Sequence, residues 1–262
     1  MKNIMKAQLL KLRKDKIIRF VFIGILAVML LMVWMITDTL LQVPDIEYSG
    51  GEEAIIGLYM FQLLAQFFMY IITAQACGAD FVDKTCNYEI MSGHTRRDVY
   101  FGRAIPTIIL GTLGTLLIIA VPIAAEVIVL GGWGDKVSFT DMLCRFLLMA
   151  FPVARIICEF IMLTFLIKNP YIVMGISYVA CIILGMNVSV GEKTMFILGM
   201  TNINAISVID SWCSFGLGGD EYYIYETAMS ADFVVPTILA SVIIGAAALY
   251  LGYVFFKNDD MH

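Results

Sequence analysis

Charge is what this sequence has least of. Lys, Arg, Asp and Glu make up 15% of its 262 residues, where soluble domains carry roughly 25%. Histidine is scarcer still, with only His94 and His262, which argues against a histidine-built metal or catalytic centre. The six cysteines (Cys77, Cys86, Cys144, Cys158, Cys181 and Cys213) form no CxxC and no Cys–His spacing. Neither a zinc site nor a disulfide framework is indicated, and no metal is expected. Alternating barrel strands are missing, so the apolar segments are read as helices. No phosphate-binding loop is present: Gly185-x5-Gly191-Glu192-Lys193-Thr194 has the wrong spacing for one. The net charge of −5 points to no nucleic-acid partner.

What the chain has in excess is apolar sequence, 60% of its residues. Long blocks at 17–37, 54–76, 104–130, 141–167, 170–186 and 233–256 reach or approach the ~20 residues that cross ~30 Å of hydrocarbon as a helix. The expected fold class is therefore an all-α integral membrane protein with six transmembrane helices in one domain, residues 1–262. The tract 195–200 is too short to span. The first block exceeds the 7–15 apolar residues usual for a cleavable signal, and no small-x-small site follows it. Residues 1–16, with six basic side chains among Ile4, Leu9 and Leu12, suit an interfacial helix whose apolar side enters the acyl boundary.

Lysine and arginine set the orientation. Thirteen lie in the N-terminal tail, the 77–103 loop, the 168–169 turn and the C-terminus, against Lys136 and Lys193 in the alternate loops. The positive-inside rule then places both termini and the 77–103 loop in the cytoplasm. The loops 38–53, 131–140 and 187–232 face outward. The last of these, with Trp212, Tyr222, Tyr223, Tyr225 and the glycines at 216–219, reads as a cap of short helices at the outer leaflet.

The 77–103 loop has an internal grammar. Asp80 is placed to cap a helix whose first turn includes Asp83. Ser92-Gly93 closes that helix, and Thr95 caps a second one that begins Arg96-Arg97-Asp98. Four more ionisable residues, Glu126, Arg145, Arg155 and Glu159, lie inside apolar blocks, where an unpaired charge costs on the order of 2.5–3.5 kcal/mol. Arg155 and Glu159, four apart, are spaced to pair, either as a packing device or on a subunit interface or cargo path. Arg145 and Glu126 are expected to snorkel to the surface.

Asp80-Phe81-x-x-x-Thr85, followed by Met91-Ser92-Gly93-x-Thr95-Arg96, resembles the first cytoplasmic loop of type-2 ABC transporter permeases. The pattern there is Glu-aromatic-x-x-Gly-Thr, a spacer, then Leu-Ser-x-Gly-x-Ser/Thr-Arg. Asp80 stands for Glu, Lys84 for Gly, and the Ser-Gly pair is contiguous. The six spans, the basic first helix and the long outer loop before the last span are similar too. The resemblance implies a coupling helix, with Asp80, Phe81, Asp83, Thr85, Ser92, Gly93, Thr95 and Arg96 at the contact with a separate dimeric ABC ATPase subunit. That subunit would hold the ATP and Mg, leaving this chain no catalytic residue. It also implies a second permease subunit, identical or not, in the lipid bilayer of a bacterial cell membrane. The cargo would be hydrophobic or amphipathic, as in small bacterial peptide-immunity and drug-efflux permeases. Two other readings stay open: an intramembrane enzyme built on Arg155 and Glu159, and a membrane scaffold or sensor whose loop docks a regulator.

Overall fold

A computed structural model describes residues 1–42, 50–133, 138–186 and 231–258. Among these, 91% are helical and none is in a strand. The helices are α1 (Lys2–Lys14), α2 (Lys16–Leu41), α3 (Gly50–Thr73), a π-helical turn (Ala74–Gly78), α4 (Ala79–Val82), α5 (Thr85–Met91), α6 (Arg96–Val129), α7 (Phe139–Ile167), α8 (Pro170–Met186) and α9 (Ala231–Lys257). Four of them, α2, α6, α7 and α9, are long and apolar enough to cross a membrane, which marks a multi-pass membrane protein. Helices α3 and α8 fall where the second and fifth spans are expected. Of the outer cap expected at 187–232, residues 187–230 lie outside the described residues, and the last two already belong to α9.

Local chemistry explains the helix ends. Asp15, in extended conformation, accepts hydrogen bonds from the Ile17 and Ile18 amides and so separates α1 from α2. The Thr95 hydroxyl accepts from the Asp98 amide, and Ser138 does the same for Asp141. These caps satisfy amides that the first helical turn leaves open. With nothing to interrupt it after Thr95, α6 starts eight residues before the expected span. It is about 51 Å long at 1.5 Å per residue, so its first turns project beyond the hydrocarbon.

Helices α6 and α7 occupy the centre. Helix α3 packs on α6, α2 on both, α9 along α7, and α8 against α7 and the π turn. Buried Phe61, Phe68 and Met69 of α3, Ile118 and Ile119 of α6, and Met149, Val153 and Ile157 of α7 form the core. In a bilayer such contacts hold by close packing, since lipid is as apolar as they are.

The bundle has two distinct ends. At one, the Gly51 amide donates to the Gly132 carbonyl at 3.1 Å, joining the start of α3 to the end of α6. The other collects α1, α4, α5, the start of α6 and the end of α9, with Pro170 of α8 against Gly78. Every segment expected to be basic and cytoplasmic therefore gathers at the same end.

One expectation is corrected here. Ile4 and Leu12 of α1, with Gln8 between them, are buried against the protein and not in an acyl boundary, while Leu9 stays exposed. Gly102 of α6 permits this approach, because a Cβ there would sit 2.8 Å from Ile4 Cγ2. The outward side of α1 keeps exposed Lys2, Lys6 and Arg13 with Leu9 and Leu10.

Candidate functional site

The polar end is built on a chain of four charges. Lys11 Nζ of α1 lies 2.5 Å from Asp80 Oδ1, and Arg103 Nε of α6 donates to Asp80 Oδ2 at 2.6 Å. Arg103 Nη1 reaches Glu89 Oε2 of α5 at 2.8 Å, as an ion pair without hydrogen-bond alignment. Asp80 and Arg103 are 3% and 2% exposed, while Lys11 and Glu89 at the ends meet solvent. Alternating signs leave each buried charge with opposite neighbours, as burial demands.

The surroundings complete the lock. Gln8 Nε2 of α1 donates to the Ala76 carbonyl at 2.7 Å, within the π turn. Such turns disturb the regular ladder and recur at functional sites. Cys86 is buried beside the chain, and loss of solvation pushes its thiol up to about 12. Phe81 packs edge-on to Phe165 at 5.3 Å and to Phe256 at 6.2 Å, tying α4 to α7 and α9.

The segment between α4 and α6 is fully structured. Lys84 adopts the left-handed conformation, φ 53°, and starts α5. Helix α5 ends in a Schellman arrangement: the Gly93 amide donates to Ile90 O at 3.0 Å and the His94 amide to Glu89 O at 3.2 Å. Gly93 carries the positive φ of 96° that this ending requires. Tyr88, Met91 and Val82 point outward, 66%, 82% and 59% exposed. A rigid polar end thus displays a small apolar face.

The sequence-derived residues divide accordingly. Asp80 caps no helix; its carboxylate is used up in the buried ion pairs, because Lys11 and Arg103 converge on it from other helices. Asp83 does not lie in a first turn either, but at the C-terminal end of α4, exposed. Thr85 is the first residue of α5, and Ser92 Oγ donates to Glu89 O at 2.7 Å. Thr95 caps α6. Arg96 Nη1 donates to the Phe256 and Lys257 carbonyls at 3.2 and 2.8 Å, fastening the end of α9 to the start of α6. This places a cation at the negative end of the α9 dipole.

The intramembrane charges lie elsewhere. Arg155 Nε donates to Glu159 Oε1 at 2.7 Å within α7. Arg145 and Glu126 do not snorkel: they are 1% and 2% exposed, enclosed by neighbouring helices at the far end. Asp141, one turn before Arg145, takes its Nε at 2.9 Å, so the charge is met inside the protein. Lys11, Gln8, Glu89 and Arg103 belong to this cluster, and sequence reasoning did not single them out. Lys11 and Arg103 read there only as topogenic charge, and no short-range spacing links either to Asp80. Among the described residues no three His, Cys, Asp or Glu side chains are grouped to hold a metal.

No family model matches the chain, and no curated protein matches it.

Proposed function

We propose that this chain is the six-span permease subunit of an ATP-driven ABC exporter, with the polar end in the cytoplasm as the receiver of force from a separate ATPase. The observation that carries this reading is the mounting of α5. It is a short, fully structured helix with an exposed Tyr88–Met91 face, locked through Glu89, Arg103, Asp80 and Lys11 to α6, α4 and α1 at once. A push on α5 reaches two membrane-entering elements without passing through a flexible joint. Lys84 adds support, since it is left-handed at the position where the resembled pattern carries glycine. The basic segments gathered at this end agree with a cytoplasmic face in a bacterial cell membrane. The cargo class follows the resemblance alone: a hydrophobic or amphipathic molecule taken from the cell or the membrane.

The test uses exposed residues, so that folding is spared. The full chain is co-expressed with a candidate ATP-binding cassette protein and purified by a tag on this chain. Tyr88→Asp with Met91→Asp is expected to reduce the co-purified ATPase at least tenfold and to abolish ATP-dependent efflux, with an unchanged melting temperature. Wild-type levels of both would overturn the reading.

A further inference from the structure

Helix α2 is the least enclosed of the four long helices. Lys16, Phe20, Ile23, Leu31 and Trp34 recur at helical spacing on one exposed face, with Phe20 at 79% and Trp34 at 65%. At 1.5 Å per residue, Trp34 lies about 27 Å from Lys16 along the helix, close to the ~30 Å of hydrocarbon that a span crosses. The apolar stripe therefore fills the depth of the bilayer, and Lys16 marks the headgroup layer where the stripe begins. Arg13 and Lys14 sit beside it, across the bend at Asp15. All three side chains are exposed, and among the described residues none of them enters an ion pair. The one acid in the stretch is already engaged, since the Asp15 carboxylate accepts from the Ile17 and Ile18 amides. Helix α1 itself has no acid. Arg19 fixes the bend: its guanidinium donates to the Lys14 and Asp15 carbonyls at 3.1 and 3.3 Å. Three cations are thus held close together with no anion to answer them.

We propose that the bend between α1 and α2 is a binding site for one anionic phospholipid. Its phosphate is held by Arg13, Lys14 and Lys16, and its acyl chains lie along Phe20 and Ile23. Charge complementarity sets the headgroup class. A lipid is favoured over a dissolved anion because the cations stand at the head of an exposed apolar track, and one amphipathic molecule satisfies both. Each basic side chain at a membrane surface contributes about fivefold in affinity for anionic lipid, and three together on the order of a hundredfold. The lipid also ties two elements that touch little beyond the bend. Helix α1 is fastened to α6 through Ile4, to the π turn through Gln8 and to Asp80 through Lys11, whereas its packing on α2 is slight. An anion bridging Arg13 and Lys16 joins that locked end to the first span. The proposal takes nothing from the permease reading. Its test needs no ATPase, so a failure at Tyr88 and Met91 leaves it standing.

The experiment titrates a fluorescent phosphatidylglycerol into the full chain in a neutral detergent. The wild type is expected to retain one molecule as an adduct in native mass spectrometry, and to bind phosphatidylcholine of the same chains at least tenfold more weakly. Arg13→Gln with Lys14→Gln and Lys16→Gln is expected to weaken phosphatidylglycerol binding at least tenfold. The same variant is expected to lose the rise in melting temperature that this lipid gives the wild type. Arg13→Lys with Lys14→Arg and Lys16→Arg keeps the charge and is expected to bind within about threefold of wild type, which separates loss of charge from loss of folding. Lys2→Gln with Lys6→Gln, on α1 but away from the bend, is expected to bind as the wild type does. Inorganic phosphate at millimolar concentration is expected not to displace the lipid. Equal binding of phosphatidylcholine, undiminished binding by the glutamine variant or failure of the charge-conserving one would each overturn the proposal. So would an equal loss at Lys2 and Lys6, which would make the surface a diffuse basic one, or displacement by phosphate, which would make it a site for a free anion.

Discussion

The two charge systems are built on opposite plans. The chain Lys11–Asp80–Arg103–Glu89 spans sequence separations of 69 and 23 residues and joins α1, α4, α5 and α6. The pair Arg155–Glu159 closes within one turn of one helix. The first holds tertiary structure, and an outward-facing α5 depends on it. The second contributes little to the fold of a single chain, since both of its charges sit on α7. Charges that bind elements together are spent on the fold; charges that bind only each other leave it little changed.

That contrast is broken most directly at Asp80. Removing one partner of a buried ion pair costs about 3–5 kcal/mol, so Asp80→Ala is expected to lower the melting temperature of the detergent-purified chain sharply and to release α1 to limited proteolysis after Lys11. By contrast, Arg155→Met with Glu159→Leu, which replaces the whole pair by apolar groups of similar size, is expected to leave monomer stability within about 1 kcal/mol or to raise it. Equal losses at the two places would remove the distinction. Thr95→Ala sharpens the first half, since loss of an N-cap costs about 1 kcal/mol. It should fray the start of α6 in hydrogen exchange while α7 stays protected.

Cys86 reports the state of the locked end. Its thiol, pushed up to about 12 by burial, stays protonated and resists N-ethylmaleimide at pH 8 in the folded chain, whereas the denatured chain reacts fully. The folded pKa lies above the unfolded value of 9.0. Below 9 the group therefore leaves stability independent of pH, and between 9 and 12 stability falls as pH rises, because the unfolded thiol ionises first. The slope over that window should become shallower in Cys86→Ala, and the thiol should become reactive in Asp80→Ala.

What could be read from the sequence follows range. Thr95, Gly93 and the Arg155–Glu159 spacing are local, with cause and effect within four residues, and the long apolar runs at 104–130 and 141–167 announce α6 and α7. The partners of Asp80 are not local. Read alone, an acid near a helix start looks like a cap; only the convergence of α1 and α6 turns it into a buried ion pair. Arg145 misled for the same reason. A charge near the end of an apolar run has two ways to escape lipid, the surface or the protein interior, and periodicity does not choose between them. The π turn and the Gln8–Ala76 bond left no pattern at all, since small residues such as those at 74–78 are common in packed helices.

The smallest expected effect is at Lys84, and it separates the shape of the 77–103 loop from its charge. A left-handed backbone costs a non-glycine residue roughly 1–2 kcal/mol, and glycine returns about 0.5–1 kcal/mol of that through its larger unfolded-state freedom. Lys84→Gly is therefore expected to stabilise the chain by under about 1 kcal/mol, while Lys84→Val, branched at Cβ in the same conformation, destabilises it. The lysine is exposed and its side chain holds no element in place, so a gain with glycine shows that the turn into α5 is required as geometry. A loss with glycine equal to that with valine would show that the ammonium group itself matters there, and the 77–103 loop would then be held by charge beyond the Asp80 chain.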